Sequence, residues 1–525
     1  MQRQIPAVKR TMKEQSGLSS LSLNTMRKSS LRTRFRPAKC VARFCWQLSS
    51  VLLLLLNTQP ATCQTQESST DKWLADFNQL LGAISRHYAN LDWVVHDRDV
   101  NLARLKQRVE ERLRSSKSDT ERRQTIESFL RAFGDAHVEV KWESGESSQP
   151  AQPASPPQPF CDRLGYNWSD ANGGIDWSVS SEYAEIRDSD SQDFPAGVLR
   201  LPSKPALGVI RIGWFSEFAH PAICRVAQRE QRISDDAPCD DDCRERFQLR
   251  VADLQTAALE RRVVSLETAG AKRLLIDITG NGGGTNWVEP AARVLTAVQL
   301  KSPRYGFVKD EHWVKQLRER LAAVQADLAG ATVNESHNLT EAASVLARGI
   351  EAASKPCALT IYWTQKDGTP DCFNLVANLL YSSGVLAYAS PGQLAGLQSA
   401  PVLFYPSRYQ YTEGTNSLPL MVLVDGDTGS SAEYFAAMLQ DNKAAQIIGQ
   451  VTVGAGCGFT NGGIRTKLDN SGAIVRLPDC VRLRSDGSNE VSGVIPDVLL
   501  PWVAKDTRHQ QAAKLLRWLH SSWVP

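Results

Sequence analysis

The stretch VLVDGDTGSSAEYFAAMLQD, Val422–Asp441, decides how the rest of the chain is read. It continues an apolar run that begins at Leu418, and Leu418 to Val424 has the length and composition of a buried strand. From about Ser431 to Gln440 the apolar residues recur at helical steps instead. Between the two lies Asp427-Thr428-Gly429-Ser430-Ser431, a glycine-containing turn that places a hydroxyl at the start of a helix. A helix start offers unpaired N–H groups and a positive dipole end, both suited to holding a negative oxygen beside Ser430. Serine is also an ordinary helix N-cap, and taken alone the turn reads as a cap. A further strand, Ala445 to Ile448, completes a strand–helix–strand rhythm.

Working outward, Gly208 to Trp214 and Arg273 to Ile278 read as buried strands with a helical pattern from about Arg244 to Thr268 between them, so the core is α/β. The second of these strands runs into Asp277-Ile278-Thr279-Gly280-Asn281-Gly282-Gly283-Gly284, where glycines let the backbone approach a ligand with its N–H groups exposed. No Gly-Lys-Ser/Thr follows and the dinucleotide spacing is absent, which leaves a plain turn or an anion-holding loop. Phe133-Gly134-Asp135-Ala136-His137 closes an N-terminal helical region with the side chain best suited to proton transfer near neutrality; a lone histidine is more often structural. Glu490 precedes Gly493-Val494-Ile495-Pro496-Asp497, and by itself is a loop carboxylate.

Together these pieces resemble the C-terminal processing (tail-specific) and tricorn-like serine peptidases. The match runs through His137, GVIRI, LLIDITGNGGG, the Val422–Asp441 stretch, IIGQVTVGAG and GVIPDV, and leaves most of 301–400 outside it. The resemblance implies a crotonase-like (ClpP-like spiral) α/β peptidase core with an N-terminal helical domain. It also implies Ser430 as nucleophile, His137 as base and Glu490 as its support, with the Ser431 amide and an amide of Gly283 or Gly284 as oxyanion hole. Members of the Ser/Lys type carry lysine in a Gly-Lys-Gly turn; here the turn is Gly454-Ala455-Gly456, and Lys443 and Lys467 lie outside such a motif. The tricorn-like branch carries a hydroxyl residue before the histidine, where this chain has Ala136, so direct contact, a water or Asp135 must serve instead. No convincing PDZ module separates His137 from the GVIRI strand, and selection of free C-termini is not implied. The expected activity is hydrolysis of polypeptides through an acyl-enzyme, with no metal or organic cofactor. The alternative is an inactive family member that binds a ligand or peptide, and a third reading is a secreted scaffold.

Length and charge frame this. The 525 residues exceed one small domain, and 42% apolar with 22% charged residues fits a folded chain. Of 60 basic and 57 acidic residues, the first 63 positions hold 11 and 1, leaving 49 and 56 in the body, whose net charge of −7 excludes a broad nucleic-acid-binding surface. The basic leader ends in the apolar run Trp46 to Leu56, too short for the roughly 20 residues of a spanning helix and suited to an export signal. Met26 would give a more ordinary start. Cys63 also fits lipid attachment, but the residues before it match a lipoprotein site only loosely, and soluble export to a periplasmic or extracellular compartment is preferred.

The expected organisation is an export region at 1–63, a helical cap at 64–146 supplying His137, a Pro- and Ser-rich linker at 147–160 and a core at 161–525. An insertion at about 301–400 has a helical stretch from His312 to Ala353 and a strand signal at Leu359 to Trp363. The body's eight cysteines allow 105 pairings. Cys357 with Cys372, around Lys366-Asp367-Gly368, and Cys457 with Cys480, around Asp469 to Gly472, bracket hairpin signals. Cys239 and Cys243 read as disulfide-forming ahead of metal-binding, since no second pair has zinc spacing. Three Asn-x-Ser/Thr triplets begin at Asn167, Asn334 and Asn338.

Overall fold

The computed structural model describes residues 69–142, 158–170, 173–364, 372 and 374–523. The expected export region with Cys63, the expected linker as far as residue 157 and the predicted Lys366-Asp367-Gly368 turn lie outside them. Four helices come first, α1 (Ser69–His87), α2 (Leu91–His96), α3 (Leu102–Ser115) and α4 (Asp119–Arg131), in the span with helical periodicity. Then follow β1 (Glu139–Lys141), α5 (Phe160–Arg163), β2 (Tyr183–Ile186), β3 (Ala196–Leu199), β4 (Leu207–Arg211), α6 (Pro221–Glu230), α7 (Asp241–Thr268), β5 (Arg273–Asp277) and α8 (Val288–Val294). The expected insertion holds β6 (Arg304–Val308), α9 (Glu311–Leu328), α10 (Val333–Ala353) and β7 (Val376–Tyr381), and α11 (Ala400–Leu403) sits at its end. The remainder is β8 (Leu420–Val424), α12 (Ser431–Asp441), β9 (Ala445–Gly449), β10 (Ile464–Lys467), β11 (Ile474–Leu477), β12 (Cys480–Leu483), β13 (Val498–Leu499) and α13 (Arg508–Ser521).

A seven-stranded sheet in the order β13-β9-β8-β5-β4-β3-β2 forms the centre, parallel from β13 to β4 and antiparallel beyond. Its inner strands are apolar throughout because both faces are covered. Alternation along β8 sends Val422 and Val424 into a core with Leu259 of α7 and Phe435 of α12. Met421 and Leu423 go into a second core with Leu515 and Leu519 of α13. The loops after β5 and β8, neighbours in the sheet, therefore emerge side by side at the carboxyl ends of parallel strands, where α/β proteins place their ligands.

A third core joins segments far apart in sequence. Phe77, Leu80, Leu113, Phe129 and Phe133 of the cap pack in one cluster with Phe307, Trp313 and Leu346 and with Val475 and Leu477 of β11. The described residues form one compact unit. Strand β1 pairs with β11 in antiparallel register, Glu139 opposite Arg476 and Lys141 opposite Ile474. Buried Asp76 of α1 accepts from the backbone N–H groups of Asn470 (2.9 Å) and Ser471 (2.7 Å) at the tip of the β10–β11 hairpin. That hairpin turns through Asp469 to Gly472, as its sequence predicts.

One element differs from expectation. Leu359 to Trp363 is not a strand; Thr360–Trp363 wind into a short 3-10 helix. Its apolar side chains face the cap, where Trp363 Nε1 donates to Ser85 Oγ (2.7 Å) and Leu359 N to Ser85 O (3.0 Å), so no ladder partner is needed. The eight body cysteines form Cys161–Cys224, Cys239–Cys243, Cys357–Cys372 and Cys457–Cys480, with Cα separations of 5.2 to 6.1 Å. Among the described residues no helix is long and apolar enough to cross a membrane.

Candidate active site

Ser430 is the N-cap of α12 and adopts φ 54°, ψ −119°, a left-handed conformation rare for serine. Such a residue stores roughly 1–3 kcal/mol of strain, and surrounding structure must hold it. Glu433 does so on one side. Its carboxylate, buried at N3 of the helix, accepts from the backbone N–H groups of Ser430 (3.0 Å), Gly454 (2.6 Å) and Ala455 (2.7 Å) and from the Thr452 hydroxyl. Burial pushes the Glu433 carboxyl above its usual range, and these donors pull it back toward the ionised form. On the other side Gly429 N donates to Asn281 O (2.9 Å), while Asp425 Oδ1 accepts from Gly280 N (2.8 Å), tying together the loops after β5 and β8.

The glycine loop comes close enough to exclude any side chain. A Cβ on Gly283, whose φ is +109°, would lie 2.7 Å from Ser430 Cβ and 2.8 Å from Ser431 N. Gly283 N donates to Asn281 Oδ1 (2.8 Å), which leaves Gly284 as the glycine of the predicted pair whose amide has no partner among the described residues. Ser431 N, at the first position of α12, has none either.

His137 comes to this turn from the cap because β1, two residues later, is clamped to β11. Its backbone N–H donates to Asp135 Oδ1 (2.9 Å), and Asp135 Oδ2 accepts from Tyr88 Oη (3.0 Å) and Asn90 Nδ2 (2.8 Å). Burial raises the Asp135 carboxyl, against the pull of these donors and of the nearby imidazole. His137 Nδ1 lies 2.8 Å from Ala455 O. A carbonyl only accepts, so Nδ1 carries the proton in the neutral ring and Nε2 is left as the basic nitrogen. Ala455 thus has its N–H on Glu433 and its C=O on His137. Ser430 and His137 line one cleft of about 700 Å³, together with Gly284, Ser431, Tyr305, Arg320, Phe459 and Arg482. No hydrogen bond joins the two directly, a common feature of ligand-free sites.

Glu490, the third predicted member, is buried at the edge of this arrangement and does not touch the imidazole. Arg482 takes it in a bidentate pair, Nε to Oε1 and Oε2 at 3.0 Å and Nη2 to Oε1 at 2.6 Å. The same Nη2 donates to Gly456 O (2.8 Å), so Glu490 reaches the turn that seats His137 through Arg482. Burial works against the Arg482 charge, but Glu490 outweighs it and raises the guanidinium above its usual value. Ala136 is exposed and bridges nothing between His137 and Glu490. Among the described residues no lysine lines the cleft. Of the residues missed in sequence, Glu433 had a visible signal, the Ser-x-x-Glu capping spacing from Ser430; Arg482 had none. Among the described residues no group of three or more His, Cys, Asp or Glu is placed to hold a metal ion.

A serine at a strained strand-to-helix turn, beside unpaired amides and a histidine fixed through Nδ1, gives this α/β fold the make-up of a serine-peptidase-type protein. The sequence agrees: residues 245–500 match the model of peptidase family S41. A curated protein of Chlamydia trachomatis serovar D is 25% identical over 260 residues, 49% of this chain and 38% of its own length, so this chain spans under two fifths of that relative. The crystal structure of mature CPAF shares the fold, with TM-score 0.55 and 15% identity over 86% of this chain and 96% of the other. Mature CPAF complexed with lactacystin matches with TM-score 0.51 and 15% identity, over 86% and 98%.

Proposed function

We propose that the protein is an exported serine peptidase that hydrolyses peptide bonds of polypeptides through an acyl-enzyme on Ser430. His137 Nε2 takes the Ser430 Oγ proton as the oxygen attacks the substrate carbonyl. The resulting oxyanion is held by the amides of Ser431 and Gly284, with Gly283 shaping the approach. The imidazolium gives its proton to the leaving amine, and water, activated by the same nitrogen, releases the acyl group. During each cycle Nδ1–H stays on Ala455 O, so the ring keeps its tautomer. Glu490 supports the base at one remove, by holding Arg482 on Gly456 O. The cap at 64–146 supplies the base, the insertion at 301–400 walls the cleft, and the stretch at 147–160 links cap to core. Export is supported by the leader and the four disulfides, which persist in oxidising compartments.

The observation that carries this reading is the left-handed Ser430 against Gly283, in a cleft that also holds Gly284 and His137. The test is hydrolysis of an unfolded protein such as casein by the purified chain and by its Ser430→Ala and His137→Ala variants. Cleavage by the parent, lost by a factor of about 10³ or more in either variant, is the expected outcome. Equal cleavage by Ser430→Ala removes the nucleophile. A well-folded parent that cleaves nothing favours the inactive, ligand- or peptide-binding alternative.

A further inference from the structure

The charged side chains around the cleft are almost all spoken for. Glu289 is paired with Arg293 and receives the Tyr434 hydroxyl. Arg408 Nη2 reaches Glu245 (2.9 Å) and Arg482 is held by Glu490. Among those shielded from solvent, Arg320, on α9 of the insertion, is the exception. It lines the same cleft as Ser430, is half-buried with its guanidinium 5.6 Å from the Trp313 ring centre, and has no hydrogen bond or ion pair to any described residue. Glu319 next to it lines the cleft too, but it is exposed and attracts the guanidinium only across solvent, without a hydrogen bond or ion pair to it. Its other close polar neighbour, Tyr305, is neutral, burial pushing that phenol far above its usual range. A guanidinium in this position pays for desolvation without a counter-ion, and burial accordingly pulls it below its usual value while leaving it charged. The group whose geometry completes it is a carboxylate, which takes two parallel N–H donors from its planar fork.

We propose that Arg320 is a specificity residue that binds a carboxylate of the substrate, so that the cleft prefers polypeptides with an acidic group near the bond presented to Ser430. The proposal rests on the peptidase reading for its substrate class, but the anchor itself is a binding site and is testable without turnover. The carboxylate comes from an Asp or Glu side chain or from the chain's own C-terminus, and both offer the same two oxygens.

The test uses the full-length Ser430→Ala protein and a set of fluorescent eight-residue peptides. A single Glu, or Gln in its place, is walked through every position, each peptide being made with a free or an amidated C-terminus. Anisotropy is expected to give about 10- to 100-fold tighter binding for one class of acidic peptide than for its neutral twin, the scale of a charge-assisted contact. A preference that follows the Glu identifies a side chain; one that follows the free terminus identifies a C-terminal carboxylate. In the Ser430→Ala, Arg320→Gln protein the ratio falls to near 1, and with Arg320→Lys it is partly restored, because ammonium keeps the charge but not the fork. Melting temperatures within a few degrees of the parent show that the variants fold. Acidic and neutral peptides binding alike to the parent, or a preference that survives Arg320→Gln, overturns the proposal. Failure of the casein assay beside a preserved acidic preference overturns the peptidase reading and leaves the anchor.

Discussion

At the scale of single residues the arrangement is one of fixed distances, and Gly283 has the least freedom. A methyl group there meets Ser430 Cβ at 2.7 Å and must be carried at φ +109°. Gly283→Ala is therefore expected to lower kcat/KM by about 10²-fold or more while Km changes little, since it displaces the nucleophile and the Ser431 amide together. Steady-state kinetics with circular dichroism as a folding control checks this; wild-type kinetics would mean that the glycine loop lies elsewhere in the working enzyme. The same scale explains what was legible in the sequence. Ser430, His137 and the glycine loop carry local signatures, because a strand-to-helix turn, a glycine flank and a run of glycines leave their marks within a few positions. Glu433 was half visible as a capping spacing, but its bonds to Gly454 and Ala455 depend on a loop 21 and 22 residues away. How Glu490 connects to the site was not legible for the same reason: its carboxylate is held by Arg482, which also donates to Gly456 O, and nothing in its spacing predicts a bidentate pair.

At the scale of elements, the turn that seats His137 is stapled at its end. Cys457 follows Gly456 directly and bonds Cys480, and Gly458 next to it packs against the imidazole, where an added Cβ would lie 3.2 Å from Nε2. Replacing both cysteines by serine releases a 23-residue loop, a loss of roughly 3 kcal/mol on the chain-entropy model. Activity is expected to fall further than for the Cys239–Cys243 double variant, which spans 4 residues and contributes nothing to the cleft's lining. Parallel melting and casein assays decide it, and equal effects would contradict this account of the seat. A second element-scale effect lies just beyond this turn, where α9 meets Thr460. His312 Nε2 lies 2.9 Å from Thr460 O and 3.4 Å from Asp479 Oδ2, and the Asp479 carboxylate, with help from the Thr460 carbonyl, raises its pKa above 6.5. A raised folded value means that the stabilisation is fully present below pH 6.5 and is lost as pH rises through the folded pKa. Melting temperature should therefore decline with rising pH above that point, and His312→Asn should flatten the slope; an unchanged slope would remove the ion pair from the account.

At the scale of the whole molecule, cap and insertion stand on one core. Phe77 and Phe129 of the cap share it with Trp313 and Leu346 of the insertion and Val475 of β11, so neither buries its apolar face alone. Hydrogen exchange should find α1, α3 and α9 opening with similar free energies, as one cooperative unit; early exchange of the cap alone would mean that the base is carried by an independent domain. Periodicity made the cap's helices and the parallel core readable, since each strand buried on both faces is apolar along its length. It did not reveal that cap and insertion meet, because contacts across more than 200 residues leave no periodic trace, and it gave a strand at Leu359 to Trp363 where burial against Ser85 was the cause of the apolar run. The central claim is that cap and core together make Ser430 a nucleophile. Its most direct measurement is fluorophosphonate labelling of the purified chain with the modified residue located by mass spectrometry. The account predicts one adduct, on Ser430, lost in Ser430→Ala and reduced by about 10²-fold or more in His137→Ala; a folded protein that takes no label, or takes it with equal speed when His137 is gone, would contradict it.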